Sequence, residues 1–261
     1  MAIEVENLRV EFDLPEGKIE AVKGVSFKVN KGEILAIVGE SGSGKSVSCM
    51  AIMGLLPEYA KITGSIKIDN LSIDRESVKK IRGKKISMIF QEPSAVLNPL
   101  LTVGEQIVET ILAHNSKISK KEAVNIAIKS MEEAKIPQAE RRFYQYPHEL
   151  SGGLKQRVVI AIAIANKPDY ILADEPTTAL DVTTSAQILK LLTNLKESYN
   201  IGIALITHDL GVVAQVADRV IVMYKGQIME EADVYSIFDS PKSDYTKKLL
   251  SSRLSIKSIL S

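Results

Sequence analysis

One loop of the sequence has residue types and spacing that suit the binding of phosphate groups. Residues 39–46 read GESGSGKS and fit the pattern G-x-x-x-x-G-K-[ST], in which glycines let backbone N–H groups surround phosphate oxygens. In this pattern Lys45 reaches the β- and γ-phosphates, and the Ser46 hydroxyl binds Mg²⁺. The residues predicted to contact the nucleotide here are Gly39, Glu40, Ser41, Gly42, Ser43, Gly44, Lys45, Ser46 and Val47.

A second chemical feature is an apolar run that ends in two acids, Asp174 and Glu175. A carboxylate at the end of a buried parallel strand is well placed to bind Mg²⁺ beside a phosphate-binding loop, so Asp174 is predicted to bind the metal, mostly through water. Glu175 is then placed to polarise the attacking water as a general base. Together the two features predict a nucleoside triphosphatase, but kinases, GTPases, helicases and transport ATPases all share them.

The elements that must position these residues alternate between strand and helix. A continuous apolar run at 34–38 predicts a strand buried on both faces, which enters the phosphate-binding loop. Period-two alternation and short apolar runs predict further strands at 3–6, 8–12, 25–29, 66–69, 86–90, 170–173, 201–207 and 219–224. Helical spacing predicts helices up to residue 56 and at 103–113, 120–134, 152–165, 184–198 and 210–217. This alternation predicts an α/β fold with a mostly parallel sheet.

Composition limits the class of protein further. The 261 residues carry 33 Lys and Arg against 32 Asp and Glu, a formal net charge of +1, so nothing in the charge balance demands nucleic acid as a partner. Apolar residues make up 45%, which excludes disorder and a long coiled coil. The longest uncharged runs are too short to cross a membrane, and no secretory signal is expected. The single cysteine, Cys49, excludes an internal disulfide and favours a reducing compartment.

Residues 150–157, which read LSGGLKQR, make the prediction specific. Ser151, Gly152 and Gly153 open a predicted helix, where exposed N–H groups and a hydroxyl suit a phosphate. With this octet the chain from Ile3 to Glu231 resembles an ATP-binding cassette (ABC) ATPase. The resemblance implies a P-loop NTPase (RecA-like) core with an N-terminal antiparallel β subdomain and an inserted helical subdomain. It also implies that the phosphate bound by the octet belongs to ATP held by another subunit.

The same resemblance implies roles for residues elsewhere in the chain. Phe12 is similar to the aromatic residue that stacks on adenine, although a plain role in the strand core stays open for it. Gln91 is similar to the glutamine that binds Mg²⁺ and senses the γ-phosphate, and His208 to the histidine that contacts this phosphate. Asp181 belongs to a segment that crosses the dimer interface, and Gln156 to the octet itself. His114 and His148 receive no catalytic role.

A narrower resemblance is to the ATPases of peptide/nickel-type importers. It is carried by residues 90–99 (FQEPSAVLNP), 173–183 (ADEPTTALDVT) and 244–250 (DYTKKLL). Two departures are Ser243-Asp244 in place of the usual His-Pro and the lack of a common glycine in 231–233. Many of these ATPases continue into a Cys-rich segment that can hold an iron–sulfur cluster. Whether the native chain extends into such a segment is therefore left open. We expect an ATPase domain at 1–240, with its helical subdomain at about 97–165, and a truncated basic helical extension at 241–261.

The function implied is that of an ATP-hydrolysing importer subunit with ATP and Mg²⁺ as ligands. The first expected partner is a second ATPase subunit in a head-to-tail dimer, which we expect to be a different paralogue in the cell. The other expected partners are two membrane permease subunits and, indirectly, an extracytoplasmic solute-binding protein. The expected location is the cytoplasmic face of the membrane, and the expected cargo is peptides, with nickel or oligosaccharides as further options. The alternative is a soluble non-transport ABC ATPase of the DNA repair or translation type, which usually carries a long coiled-coil insertion or two cassettes.

Overall fold

The computed structural model describes residues 1–15, 17–115 and 117–259, with side chains through residue 252. It divides into two compact units. The first comprises Met1–Lys79 and Gly202–Ser261, and the second comprises Lys80–Ile201. The predicted domain boundaries at 97, 165 and 240 stay predictions.

Strands and helices alternate along most of the described chain, which confirms the predicted α/β class. The strands are β1 (Ala2–Leu14), β2 (Gly17–Asn30), β3 (Ile34–Gly39), β4 (Ala60–Ile68), β5 (Leu71–Ser72), β6 (Ile86–Ile89), β7 (Tyr170–Asp174), β8 (Gly202–Ile206), β9 (Arg219–Tyr224) and β10 (Gln227–Asp233). The helices are α1 (Lys45–Met53), α2 (Pro93–Val96), α3 (Val103–His114), α4 (Lys120–Glu133), α5 (Ala139–Arg142), α6 (Gly152–Ile164), α7 (Val182–Tyr199), α8 (Leu210–Val216), α9 (Val234–Asp239) and α10 (Asp244–Ile259). No helix in the described part of the chain is both long and apolar enough to span a bilayer.

The first unit contains an antiparallel sheet with the strand order β2-β1-β4-β5. The two short strands predicted at 3–6 and 8–12 form one continuous strand, β1. Its pairing register shifts between Val5 and Leu8, and Asn7 lies there with φ 48°. This bulge absorbs one residue, so Leu8 points to the same buried face as Val5 although their spacing breaks the period of two.

The second sheet region of the first unit is built around β3. This strand pairs in parallel with β8 on one side and β9 on the other, and β10 continues the sheet antiparallel to β9. All six residues of β3 are buried, as expected for a strand covered on both faces. Cys49 in the following helix α1 is also fully buried. The phosphate-binding loop therefore leaves a rigid strand and enters a packed helix.

The C-terminal helix α10 packs onto the same unit, where Leu250 joins a buried cluster with Val213, Val220 and Ile237. Its start is held by Glu230 of β10, whose carboxylate accepts hydrogen bonds from the N–H groups of residues 242 and 243 at 2.7 and 3.0 Å. The predicted extension 241–261 thus begins as a docked helix. Its basic residues Arg253 and Lys257 lie outside the described side chains.

The second unit pairs β6 in parallel with β7 and adds the helices α2 to α7. Two of these helices begin with capping boxes, Thr102 with Glu105 for α3 and Ser119 with Glu122 for α4, which satisfy N–H groups that a helix start leaves unpaired. Helices α3, α4 and α6 pack against one another. The predicted helices at 103–113, 120–134 and 152–165 are confirmed within one or two residues.

Gly104 in α3 provides a test of this packing. A Cβ atom built there would lie 2.3 Å from the ring of Phe143, which is 6% exposed. Alanine normally stabilises a helix by about 1 kcal/mol relative to glycine, but overpacking costs about 1–3 kcal/mol. Because the overlap with the buried ring is severe, the overpacking cost should lie at the upper end of this range, and we expect Gly104→Ala to lower the free energy of unfolding in urea by about 2 kcal/mol. The single variant Phe143→Leu and the double variant Gly104→Ala/Phe143→Leu complete a double-mutant cycle. In the double variant, the smaller side chain at residue 143 should restore part of the free energy of unfolding that Gly104→Ala removes. A Gly104→Ala protein as stable as the unchanged chain would contradict this packing.

Candidate functional site

The phosphate-binding loop in the first unit follows a path that only glycine tolerates at two places. Gly39 has φ 154°, and a Cβ there would lie 2.1 Å from the carbonyl oxygen of Met223. Gly44 has φ 100°, and a Cβ would lie 2.7 Å from the carbonyl oxygen of Ala21. At Gly42, by contrast, no atom of the described part of the chain, apart from its two neighbours in sequence, lies within 4 Å of the Cβ position. The loop thus packs against neighbouring backbone at Gly39 and Gly44 and is open at Gly42, which suits the binding of phosphate groups on the open side.

Lys45 lies inside this loop with 6% of its surface exposed. Its Nζ donates hydrogen bonds to the carbonyl oxygens of Gly39 at 2.9 Å and Glu40 at 2.8 Å, and to the hydroxyl of Ser43 at 3.3 Å. A buried ammonium group is costly unless it is hydrogen-bonded, so these acceptors fix its position within the loop. Gly44 caps α1 without a side chain, and the positive end of the helix faces the same loop.

The turn between β9 and β10 supports the loop from behind. The Gly226 N–H donates to the carbonyl oxygen of Ser43 at 3.0 Å, and the Gly226 carbonyl oxygen accepts from the Lys23 N–H at 2.8 Å. Gly226 has φ 83°, and a Cβ there would lie 2.8 Å from the carbonyl oxygen of Ala21. Sequence reasoning missed this contact, because Lys225-Gly226 reads only as an ordinary turn.

A second support that the sequence did not reveal comes from the C-terminal helix. Tyr245 of α10 stacks on Tyr224, with ring centroids 4.3 Å apart. Burial, together with the neighbouring carboxylate of Glu40, raises the pKa of Tyr245 above its ordinary value. Glu40, the exposed second residue of the phosphate-binding loop, thus lies near Tyr245.

His208 and Phe12 also belong to the first unit. His208 is exposed and follows β8, which pairs in parallel with β3, so the histidine and the loop leave neighbouring strands at the same sheet edge. Asp209 then caps α8 by accepting hydrogen bonds from two N–H groups of its first turn. Phe12 is half-buried on β1, and its ring centroid lies 6.1 Å from that of Tyr59 at 57° between the ring planes.

In the second unit, three of the predicted residues meet at the end of β7. Asp174 is buried, and Glu175 leaves the strand with φ 45°, a left-handed conformation that is costly for a residue with a side chain. The Gln91 Nε2 atom donates to the Oε2 atom of Glu175 at 3.2 Å. Thr178, which the sequence did not single out, donates its hydroxyl to the same oxygen at 2.8 Å.

The octet 150–157 lies beside the segment around Asp181. The Ser151 hydroxyl accepts from the Leu154 N–H at 3.4 Å and caps α6, and a Cβ built at Gly153 would lie 2.7 Å from Thr184. Asp181 caps α7, and its hydrogen bonds with the hydroxyl and N–H of Thr184 lower its pKa. Ser151 and Gly152 are exposed, whereas Gln156 is 1% exposed and faces inward. The two segments line one surface depression in common.

The residues predicted to hold Mg²⁺ fit the chemistry of that ion. They offer a hydroxyl, an amide and a carboxylate, the oxygen ligands that Mg²⁺ prefers together with phosphate oxygens and water. Within the described ranges, no three His, Cys, Asp or Glu side chains cluster as a cage for a metal. A site that shares its ligands with a bound phosphate chain requires no such cage.

Comparison with known proteins identifies the class. The model of the ABC transporter family matches residues 22–178. The dipeptide transport ATP-binding protein DppD of Bacillus subtilis is 52% identical over 255 residues, which cover 96% of this chain and 76% of that protein. The chain therefore belongs to the ABC transporter family, and the predicted family is confirmed.

Two further relatives set the limits of this likeness. The oligopeptide transport ATP-binding protein OppD of Mycobacterium bovis is 47% identical over 253 residues, but this chain covers only 41% of its length. Among solved structures, the dimeric post-hydrolysis state of the ATP-binding cassette MJ0796 bound to ADP and Pi matches with a TM-score of 0.79 and 34% identity. That match covers 89% of this chain and 98% of the other. The ABC ATPase fold expected from the sequence is confirmed by this match.

The Gly226 contact yields a prediction about ATP binding. We expect Gly226→Ala to weaken ATP binding about tenfold. The new Cβ would push the β9–β10 turn away from Ser43 and so disturb the phosphate-binding loop, although Gly226 lies outside that loop. The measurement is the Kd for ATP from a nucleotide titration. Gly17→Ala is the matched control, since Gly17 also has a positive φ of 129°, but among the described residues, its chain neighbours apart, no atom lies within 4 Å of its Cβ position. Equal ATP affinity in the two variants would show that the turn does not support the loop.

Proposed function

We propose that the chain is the ATP-hydrolysing subunit of an ABC importer for peptides. The observation that carries this proposal is the phosphate-binding loop. Its glycines lie against backbone carbonyl oxygens, and together with the buried Lys45 ammonium they form a phosphate-binding cradle at the start of a helix. Family membership supports the nucleotide, and the names of the relatives, which are transport ATP-binding proteins for dipeptides and oligopeptides, support the cargo. We keep nickel and oligosaccharides only as further options.

Each predicted residue has a place in the proposed mechanism. The loop N–H groups and Lys45 hold the β- and γ-phosphates, and Phe12 stacks on the adenine ring. Mg²⁺ supplies charge neutralisation of these phosphates when bound, with Ser46, Gln91 and Asp174 as the residues that would hold it. His208 contacts the γ-phosphate and offsets charge that develops on it.

Glu175 carries the acid–base step in this proposal. Its carboxylate accepts a hydrogen bond from the attacking water and takes its proton as the water oxygen bonds to the γ-phosphorus and the bond from that phosphorus to the bridging oxygen of the leaving ADP breaks. The left-handed backbone and the donors from Gln91 and Thr178 hold this carboxylate in one orientation, so little reorganisation is needed when water attacks.

The octet serves a second ATP site in the proposed head-to-tail dimer. The exposed Ser151 and Gly152, with Gly153 behind them, present the N-terminus of α6 to the γ-phosphate of ATP on the partner subunit. Asp181 lies in the neighbouring segment that reaches the same interface. The burial of Gln156 argues against direct contact with nucleotide, so we assign it a supporting role inside the motif. Two permease subunits would bring this dimer to the cytoplasmic face of the membrane and pass on its movement, with a solute-binding protein outside and no nucleic acid involved.

Glu175→Gln tests the assignment of the general base. The amide keeps the size of the side chain but cannot take a proton, so we expect kcat for ATP to fall about 100-fold or more. The Kd for ATP should change little, because the loop residues are untouched. Lys45→Ala is the contrasting variant and should lose ATP binding itself. If Glu175→Gln hydrolysed ATP at the original steady-state rate, Glu175 would not be the base.

The transport role is tested separately from ATP hydrolysis. We expect the chain in a native cell extract to sediment with membranes and, after mild detergent, to co-purify with a polytopic membrane protein. The physical reason is that the proposed permease subunits lie in the bilayer and would hold the ATPase subunit at its surface. An active ATPase found entirely in the supernatant would favour the alternative, a soluble non-transport ABC ATPase.

A further inference from the structure

The carboxylate of Glu175 receives two hydrogen bonds on one of its two oxygens. Gln91 donates from its amide at 3.2 Å and Thr178 from its hydroxyl at 2.8 Å, and both bonds end at Oε2. Two donors on one oxygen fix the rotation of the carboxylate plane, and this rotation decides where the Oε1 atom lies. The shorter of the two bonds comes from Thr178.

Thr178 reaches this oxygen because of the turn formed by residues 175–178. The Thr178 N–H donates to the Glu175 carbonyl oxygen at 3.1 Å, which closes the turn. The turn starts at Glu175 with a positive φ of 45°, and Ala179, directly after it, also has a positive φ of 64°. Because the backbone hydrogen bond already closes this turn, the Thr178 hydroxyl is not needed for the closure and donates to the side chain of Glu175.

The 175–178 turn is also held from its other side. The Thr177 carbonyl oxygen accepts from the Leu180 N–H at 3.3 Å and from the Ser185 hydroxyl of α7 at 3.4 Å. Asp181 caps that same helix. A short series of hydrogen bonds therefore joins Glu175 to the start of α7, and these bonds set the position of Thr178.

We propose that Thr178 is a positioning residue for ATP hydrolysis. Its hydroxyl holds Oε2 of Glu175 so that Oε1 is directed at the attacking water, and Gln91 contributes the second donor. The inference rests on the proposed role of Glu175 as general base. Thr178 itself contacts neither ATP nor water in this scheme, so its effect falls on the rate of the chemical step and leaves nucleotide affinity unchanged.

The experiment compares Thr178→Val with Thr178→Ser in the full chain, with Mg-ATP as substrate. Valine keeps the shape but removes the donor, so we expect kcat to fall about tenfold with KM and the Kd for ATP within about twofold of the original values. Serine keeps the hydroxyl and should restore kcat to within about threefold. Thr193→Val is the matched control, since the Thr193 hydroxyl donates to the Leu189 carbonyl oxygen inside α7, and its kcat should not change.

A double variant separates this inference from the proposed function. If Thr178 acts through Glu175, then Glu175→Gln with Thr178→Val should have the same kcat as Glu175→Gln alone. An unchanged kcat in Thr178→Val, with Glu175→Gln inactive, would overturn the inference and leave the general base intact. If Thr178→Ser lowered kcat as much as Thr178→Val, or if KM and the Kd for ATP changed as much as kcat, Thr178 would have only a structural role. Either result would also overturn the inference. An unchanged kcat in Glu175→Gln would instead overturn the general-base role of Glu175, and the inference with it, while ATP hydrolysis by the chain would stand.

Discussion

The phosphate-binding loop depends on the close approach of three backbone segments. The carbonyl oxygens of Met223 and Ala21 lie where side chains at Gly39 and Gly44 would start, and the Gly226 N–H holds the Ser43 carbonyl oxygen. Parallel pairing of β3 with β8 and β9 fixes the strand that feeds the loop. The loop is therefore shaped by neighbours far away in the sequence, and its glycines are required as much by these walls as by the ligand they would face.

The residues of the candidate site were predictable where chemistry leaves a local pattern. The glycine–lysine spacing at 39–46, the acids after an apolar run and the octet at 150–157 each combine rare residue types at fixed distances, and each lies at the junction of elements that the hydropathy pattern predicted. The fold class followed in the same way, because buried strands and amphipathic helices differ in their period. The roles assigned to these residues stay predictions until variants are measured.

What the sequence did not reveal depends on contacts over long distances or on single bonds. Tyr245 stacks on Tyr224 beside Glu40, and because Glu40 lies far from both tyrosines in the sequence, no local pattern encodes this arrangement. Strand β10 alternates half-buried and exposed residues, so it lacked the apolar run that marked its neighbours. The continuity of β1 was missed because a bulge at Asn7 shifts the period by one. The Thr178 hydrogen bond needs the exact fold of a turn, whereas its residue type is common in any turn.

The burial of Cys49 has a practical consequence for labelling. It is the single cysteine of the chain, and the packing of α1 shields it completely. A cysteine introduced at an exposed position, such as Val182 beside the Asp181 cap, therefore offers a thiol that reagents reach far more readily than the native one. Spin labels or fluorophores attached there would report distances between the subunits of the proposed dimer without first removing a residue from the helix that follows the phosphate-binding loop.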